Sequence, residues 1–346
     1  MEIINYNGAT EHERVLFGRE EASGYRGIIA IHNTQLGPAV GGTRFWNYAS
    51  EADALTDVLR LSRGMTYKNA LAGLPLGGGK SIIIGDNRQT AGREELFRAH
   101  GRFIESRGGG YLTAEDVGTT TADMEFVLRE TRHVVGLANR SGDPSPVTAH
   151  GVFRAMQAAA RHRWGTDELA GRRVALQGCG HVGYYLAKEL REAGAKLIVT
   201  DMDAERVERV ASECEAERVA PEEIYAVEAD IFAPCALGGI LNDETIPQLR
   251  VEIVAGAANN QLLDARHGEA LQARGILYAP DYAANAGGVI NGCIELLDWE
   301  QSHSRAKVEA IYDTLLEIFQ RAELEGVPTS KAADELAEAR LQPAHA

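Results

Sequence analysis

From Arg173 to Gly183 the chain reads Arg-Val-Ala-Leu-Gln-Gly-Cys-Gly-His-Val-Gly, an apolar strand-forming run that breaks into glycines and then into a helical pattern. Gly178, Gly180 and Gly183, with Cys179, His181 and Val182 between them, satisfy G-x-G-x-x-G. Alone the pattern recurs by chance, but set directly between a strand and a helix it defines the phosphate-binding turn of a doubly wound dinucleotide fold. The first glycine permits the tight turn, the second lets a pyrophosphate lie against bare backbone, and the third lets helix pack on strand. The helix N-terminus then faces the anion. Asp201 ends the next expected strand, at about the 20-residue distance where a carboxylate accepts hydrogen bonds from the adenosine ribose. A 2′-phosphate would be repelled there, and the first nearby arginine, Arg206, falls inside the following helix. The reading is therefore NAD rather than NADP, with a cofactor-free domain built on a structural glycine turn as the alternative.

Strands expected over 173–177 and 196–201, and short apolar runs over 231–233, 253–255 and 276–279, combine with helices over 182–193 and 204–213. That rhythm specifies a parallel sheet with crossover helices. The front of the chain reads as a strand over 27–33, a helix over 50–65 whose Ser50 and Asp53 resemble a capped start, a buried strand over 81–85 and a helix over 93–105. Long helices are expected over 307–325 and 331–340. At 346 residues the chain has room for two cores. The densest cluster of turn formers, over 138–146, is read as an interdomain hinge. The expected fold is α/β, with an N-terminal α/β domain over 1–140, a Rossmann domain over 141–327 and a cleft between them.

A formal charge of −15 argues against a nucleic-acid partner, which needs clustered cations to displace counterions. Cys179, Cys214, Cys235 and Cys293 show no CxxC spacing and no paired histidine motif, so no metal site is expected. Residues 1–14 carry charges throughout with no apolar stretch of a signal peptide, and no apolar run reaches the roughly 20 residues that cross a bilayer. The expected location is the cytoplasm.

Leu76-Gly77-Gly78-Gly79-Lys80-Ser81 invites a phosphate-loop reading. Its spacing refutes it, because position 74 is leucine and the glycines lead into a strand. The other reading is that the glycines let backbone and substrate approach Lys80 closely, leaving a poorly solvated amine able to act as a base. Lys68 lies twelve residues earlier, after the expected helix, within reach of the same place. Asp116 sits in Thr113-Ala114-Glu115-Asp116-Val117-Gly118-Thr119, a strand-end loop. By residue type alone each lysine is more often a solvated surface group, and Asp116 alone reads equally as an N-cap for the helix after Thr121.

Gly41-Gly42-Thr43-Arg44 and the segments 65–69, 75–80, 114–119, 144–151, 256–261 and 280–291 resemble, in order, the motifs of the amino acid dehydrogenase family in its leucine, valine and phenylalanine branch. The resemblance implies reversible, NAD-dependent oxidative deamination of an apolar L-amino acid. It implies that Lys68 holds the substrate α-carboxylate near Gly41 and Gly42, that Lys80 activates water, and that Asp116 moves protons. Asn259 and Asn285 would lie on the nicotinamide side with Ala257, Asn259 also near the substrate amine, and Thr148 would contact the carboxamide. It further implies a homo-oligomer, octameric, and a tail over 328–346 that packs back on the N-terminal domain.

Matching motifs place Val40, Ala114, Val289 and Gly292 along the side-chain pocket, with no charge to receive an acidic substrate. Val40 and Gly292 are smaller than the leucine-preferring pattern, as are Ala283 and Ala284. Branched-chain substrates lead, and aromatic substrates are the second enzyme reading. The non-enzyme alternative is a catalytically silent NAD-binding sensor.

Overall fold

The computed structural model describes residues 11–106, 108–137 and 143–342. The chain divides into two compact units. The first holds residues up to Gly142, Gly292–Trp299 and Arg340 onward, and the second holds Asp143–Asn291 and Glu300–Ala339.

The first unit begins with strands β1 (Arg14–Glu20), β2 (Tyr25–Asn33), β3 (Ala39–Val40) and β4 (Thr43–Trp46), followed by helix α1 (Glu51–Leu71). Strand β5 (Gly77–Ile84), helix α2 (Arg93–Glu105), strand β6 (Tyr111–Leu112) and helix α3 (Thr121–Leu128) complete it. The sheet runs β1-β2-β5-β3-β6 with β4 also on β5. β1 and β2 are antiparallel, as are β2 and β5, while β3 and β4 run parallel to β5. Ser50 caps α1 by accepting from the Asp53 nitrogen, the capped start the sequence implied. The helix then continues beyond 65 to Leu71, so Lys68 stands within its last turn and not after it. Nothing between 66 and 71 breaks a helix, and Tyr67, Asn69, Ala70 and Leu71 bury against the sheet.

The glycines of β5 have a packing cause. A Cβ on Gly78 would stand 2.1 Å from the Thr66 nitrogen, and one on Gly77 2.2 Å from the Asn33 oxygen. The glycine run lets α1 lie directly on the strand that carries Lys80, a role distinct from exposing backbone to substrate.

Arg93 is the unit's main polar tie. Its guanidinium makes bonds of 2.6 and 2.7 Å to the buried Asp123 and donates to the carbonyls of Asn87 and Gly118, both at 2.9 Å. Asp123 in turn closes a capping box with Thr120 at the start of α3. Asp116 is therefore not that helix's cap. Replacing Arg93 with alanine strands a buried carboxylate, and urea unfolding is expected to show a loss of about 3–5 kcal/mol.

The second unit opens with α4 (Ser145–Trp164), β7 (Arg173–Gln177), α5 (His181–Glu192), β8 (Lys196–Thr200), α6 (Ala204–Cys214) and β9 (Glu217–Arg218). It continues with β10 (Ile231–Pro234), β11 (Ile253–Val254), α7 (Arg266–Ala273), β12 (Leu277–Tyr278) and α8 (Asp281–Ala284). The order β12-β11-β10-β7-β8-β9 is parallel throughout. The chain reverses its winding between β7 and β10, the switch point where such sheets take ligands.

Helix α9 (Gly287–Leu296) carries the chain from the second unit into the first. The single helix expected over 307–325 is two, α10 (Gln301–Glu309) and α11 (Ile311–Glu325), separated at Ala310. The last helix, α12 (Thr329–Leu341), belongs through Ala339 to the second unit and from Arg340 to the first, so the tail expected on the first unit divides between the two. Ala332, Ala333, Leu336 and Ala337 form its buried face, Thr329 donates to the Tyr278 carbonyl at 2.6 Å, and Tyr282 donates to Asp334 at 2.5 Å. Arg340 returns to the first unit by donating to the Leu71 carbonyl. The hinge residues 138–142 and residues 343–346 lie outside the described residues. Among the described residues no helix is long and apolar enough to cross a membrane, and no cluster of acidic, histidine or cysteine side chains could hold a metal.

Candidate active site

In the first unit, β5 brings Lys80 into the interior with its ammonium 3.0 Å from Asp116 Oδ2. Asp116 projects from the loop after β6, whose shape is held by Thr119. The Thr119 hydroxyl accepts from the Asp116 nitrogen at 2.8 Å and donates to the Thr43 carbonyl at 3.1 Å. Burial would raise the Asp116 carboxyl, but the charges of Lys80 and Arg44 overcome it and hold the group down at about 2. Asp116 is thus a carboxylate at any working pH.

Gly41 and Gly42 lie against the same residues. A Cβ on Gly41 would stand 1.8 Å from the Gly79 oxygen and 3.3 Å from Met65, and one on Gly42 would stand 2.6 Å from the Glu115 oxygen and 2.9 Å from Asp116 Cβ. No side chain fits at either position. The α1 turn bearing Lys68 is docked here as well: Met65 faces Gly41, Thr66 faces Gly78, and the Asn69 amide donates to the Gly77 carbonyl at 2.7 Å. Val40 is buried on β3 and Ala114 is half-buried beside the Asp116 loop. The front-half residues singled out from sequence, namely Val40, Gly41, Gly42, Lys68, Lys80, Ala114 and Asp116, therefore stand on adjoining elements.

Beneath them lies a buried polar network that sequence reasoning missed. The Tyr111 hydroxyl donates to the Gly41 carbonyl and lies 3.1 Å from Ser81 Oγ. Thr43 joins Ser81, Thr113 and His100 at 2.7, 2.6 and 2.9 Å, and His100 meets the Tyr25 hydroxyl at 2.7 Å. Burial drives His100 down to about 3, so it is a neutral hydrogen-bonding post. Arg44, Asp57 and Tyr48 were missed too. Arg44 lies in a motif that was recognised, but nothing in its spacing assigns a partner.

The second unit places the glycine turn at the end of β7, facing β10. Gly178 has a φ of +103°, and a Cβ there would stand 2.8 Å from the Ala236 nitrogen. A Cβ on Gly183 would fall 2.0 Å from the Gly178 oxygen, which is the close packing of helix on strand. By contrast nothing lies within 4 Å of the Cβ position on Gly180. No side chain caps α5, which starts at His181 and Val182, so its first N–H groups are not taken up by a capping side chain. These features fit a pyrophosphate. Asp201 is held by the turn, accepting from the Cys179 nitrogen at 2.7 Å and the Asp203 nitrogen at 2.9 Å.

The later loops converge as well. The Asn285 amide donates to the Ala257 carbonyl at 3.0 Å and to Asn259 Oδ1 at 2.8 Å. Asn285 Oδ1 is buried and has no hydrogen-bond partner among the described residues, an acceptor left over that suits a carboxamide N–H. Thr148 lies against the next turn, its hydroxyl 3.1 Å from the Cβ position on Gly288. Val289 and Gly292 follow on α9, and a Cβ on Gly292 would meet nothing within 4 Å.

A six-stranded parallel sheet with a dinucleotide turn at its switch point, joined to a mixed sheet that buries an amine against a carboxylate, is the architecture of a dehydrogenase. Residues 12–133 match the Glu/Leu/Phe/Val dehydrogenase dimerisation domain, and residues 141–205 and 198–345 match Glutamate/Leucine/Phenylalanine/Valine dehydrogenase. A leucine dehydrogenase of Geobacillus stearothermophilus is 53% identical over 99% of this chain and 94% of its own. A phenylalanine dehydrogenase of Caldalkalibacillus thermarum is 47% identical over the same shares. The crystal structure of L-tryptophan dehydrogenase from Nostoc punctiforme superposes with a TM-score of 0.84 at 47% identity, covering 96% of each chain. The chain belongs to the Glu/Leu/Phe/Val dehydrogenase family, whose members are amino acid dehydrogenases, oxidoreductases acting on CH–NH2 donors with NAD(P).

Proposed function

We propose that the protein catalyses reversible oxidative deamination of an apolar L-amino acid, branched-chain substrates foremost, to the 2-oxo acid and ammonia with NAD. The observation that carries the chemistry is the buried Lys80–Asp116 pair set against Gly41 and Gly42. NAD, when bound along Gly178, Gly180, His181, Val182 and Gly183, with Asp201, Thr148, Ala257, Asn259 and Asn285 as its other contacts, supplies the acceptor for the hydride leaving Cα.

Lys68 holds the α-carboxylate over the side-chain-free surface of Gly41 and Gly42, which fixes Cα. Asn259 orients the amino group. Lys80, as the free amine, takes a proton from the water that adds to the imino acid, forming the carbinolamine C–O bond. Asp116 passes that proton to the nitrogen, and as the C–N bond breaks and ammonia leaves, Lys80 takes the hydroxyl proton of the carbinolamine so that the carbonyl forms.

The leucine reading is supported by the 53% identity to a leucine dehydrogenase and by the uncharged apolar residues Val40, Ala114 and Val289. The open space at Gly292 favours the second reading, an aromatic substrate. Initial rates of NADH formation with L-leucine, L-valine, L-phenylalanine and L-tryptophan at alkaline pH decide between them. Leucine or valine should turn over fastest, and a tenfold preference for phenylalanine or tryptophan would install the aromatic reading. A Gly292→Ala variant should lower the phenylalanine-to-leucine ratio of kcat/KM by about tenfold or more, since a methyl of pocket space is worth about 1–3 kcal/mol. Asp201→Ser should shift the NADP-to-NAD ratio of kcat/KM upward by at least about tenfold, because a like-charge repulsion of several kcal/mol is removed.

We place the enzyme in the cytoplasm, a reading supported by its four cysteines, none of which is in a disulfide. We further propose an octamer built through the unit that matches the dimerisation domain, and light scattering should return the mass of eight chains.

A further inference from the structure

Two cations share one oxygen of Asp116. Lys80 Nζ lies 3.0 Å and Arg44 Nε 3.1 Å from the same Oδ2. The far edge of the Arg44 guanidinium is tied to Asp57 Oδ2 at 2.9 Å, and the Tyr48 hydroxyl donates to that oxygen at 2.5 Å. Arg44 and Asp116 are both largely buried, and Asp57 is three-quarters buried. The guanidinium is therefore fixed at both ends, by α1 on one side and by the loop after β6 on the other.

This arrangement solves a problem that the proposed chemistry creates. Lys80 must be uncharged when it takes a proton from water, and at that point Asp116 loses its nearest counter-charge. A buried carboxylate with no cation takes up a proton itself. Arginine stays charged at every working pH, so it cannot leave Asp116 unpaired. We propose that Arg44 is a positioning residue for the deamination, a permanent counter-charge that keeps Asp116 anionic while Lys80 is neutral, clamped in place by Asp57 and Tyr48. This rests on the reading of Lys80 as the base.

The charged and titratable groups around Asp116 are Lys80 on β5, Arg44 on β4, Tyr111 on β6 and, behind Arg44, Tyr48 and Asp57. Lys68, on the same helix as Asp57, is the other amine of the proposed substrate site. Removing the fixed positive charge of Arg44 leaves the Asp116 carboxylate facing Lys80 alone, which favours the protonated amine. The acidic limb of the rate profile must then move to higher pH.

The test uses the full-length enzyme with NAD and L-leucine, or whichever amino acid in the panel turns over fastest. For Arg44→Gln, the acidic limb of kcat/KM should move up by about one pH unit and kcat should fall by about tenfold or more, with NAD affinity unchanged. Arg44→Lys, which keeps the charge and loses the two-edged fork, should bring the limb most of the way back. An Arg44→Gln enzyme with the parent limb overturns the proposal, whatever happens to its melting temperature, because a purely structural tie would not move a titration. If Arg44→Gln fails to fold, Tyr48→Phe takes its place. It should give a smaller shift of the same sign, and a parent profile there overturns the proposal. Lys80→Ala separates the two ideas. Full turnover in that variant removes the base on which Arg44 depends, whereas an inactive Lys80→Ala with a parent-like Arg44→Gln profile removes Arg44 alone.

Discussion

Lys80→Ala is expected to lower kcat by about 10³-fold while leaving NAD affinity within about twofold of the parent. A positioned acid or base contributes about 10²–10⁴-fold, and Lys80 is the buried amine paired with the Asp116 carboxylate. NAD affinity should hold because the glycine turn and Asp201 belong to the other compact unit. The variant should also fold. Arg44 remains 3.1 Å from Asp116 after the amine is gone, so the carboxylate is not left without a cation. Stopped-flow rates and an equilibrium NAD titration on the same preparation check both halves. Turnover within tenfold of the parent would remove Lys80 as the base and return the glycine–lysine segment to a purely packing role. An equal loss of NAD affinity would instead mean that the substitution had spread beyond its own unit.

Gly178→Ala is expected to weaken NAD binding by at least about tenfold and to lower the melting temperature. Two costs coincide at this residue. Its φ of +103° is a conformation L side chains rarely adopt, and holding alanine there costs about 1–3 kcal/mol. The added methyl would also stand 2.8 Å from the Ala236 nitrogen, inside contact distance of backbone that cannot rotate away. The turn must open to relieve either cost, which moves the α5 N-terminus off the position a pyrophosphate requires. Gly180→Ala makes the internal control. Nothing lies within 4 Å of its Cβ position, so the protein should keep its stability and lose NAD affinity alone. Isothermal titration and thermal melting on both variants distinguish a turn that is merely structural, for which the Gly180 variant would bind NAD normally.

The two halves of the chain were unequally legible. The second unit's early strands and helices fall within a residue or so of expectation, since β7, α5, β8 and α6 are short, regularly spaced and bounded by glycine or a capping aspartate. In the first unit β2 and α2 could be read, but β3, β4 and β6 could not. Strands of two to four residues carry too few side chains to show a period of two. β1 is long enough to show a period, but its alternation is blurred by charges at both ends. The end of α1 was misjudged because Lys68 looks solvated in sequence, whereas burial of Tyr67 and Asn69 extends the helix beneath it. The last helix divides between the units, through Ala339 in the second and from Arg340 in the first, and an alanine-rich face does not reveal in advance which surface it will cover.

From the sequence alone came the glycine turn of the dinucleotide fold, the candidate lysines and aspartate, and the uncharged residues proposed for the substrate pocket, because each depends on residue type at a local spacing or on motifs in fixed order. What the tertiary structure decided was which charges meet. Arg44, with Tyr48 and Asp57 behind it, is far in the chain from Asp116, as the members of the network from Tyr25 through His100 to Tyr111 are from one another, and none of these meetings carries a local pattern. They come together because β3, β4 and β6 pair around a glycine strand that lets a helix settle onto it. Long-range strand pairing sets the protonation state of Asp116 by bringing Lys80 and Arg44 to it against the effect of burial, and that meeting is not written in any one stretch of residues.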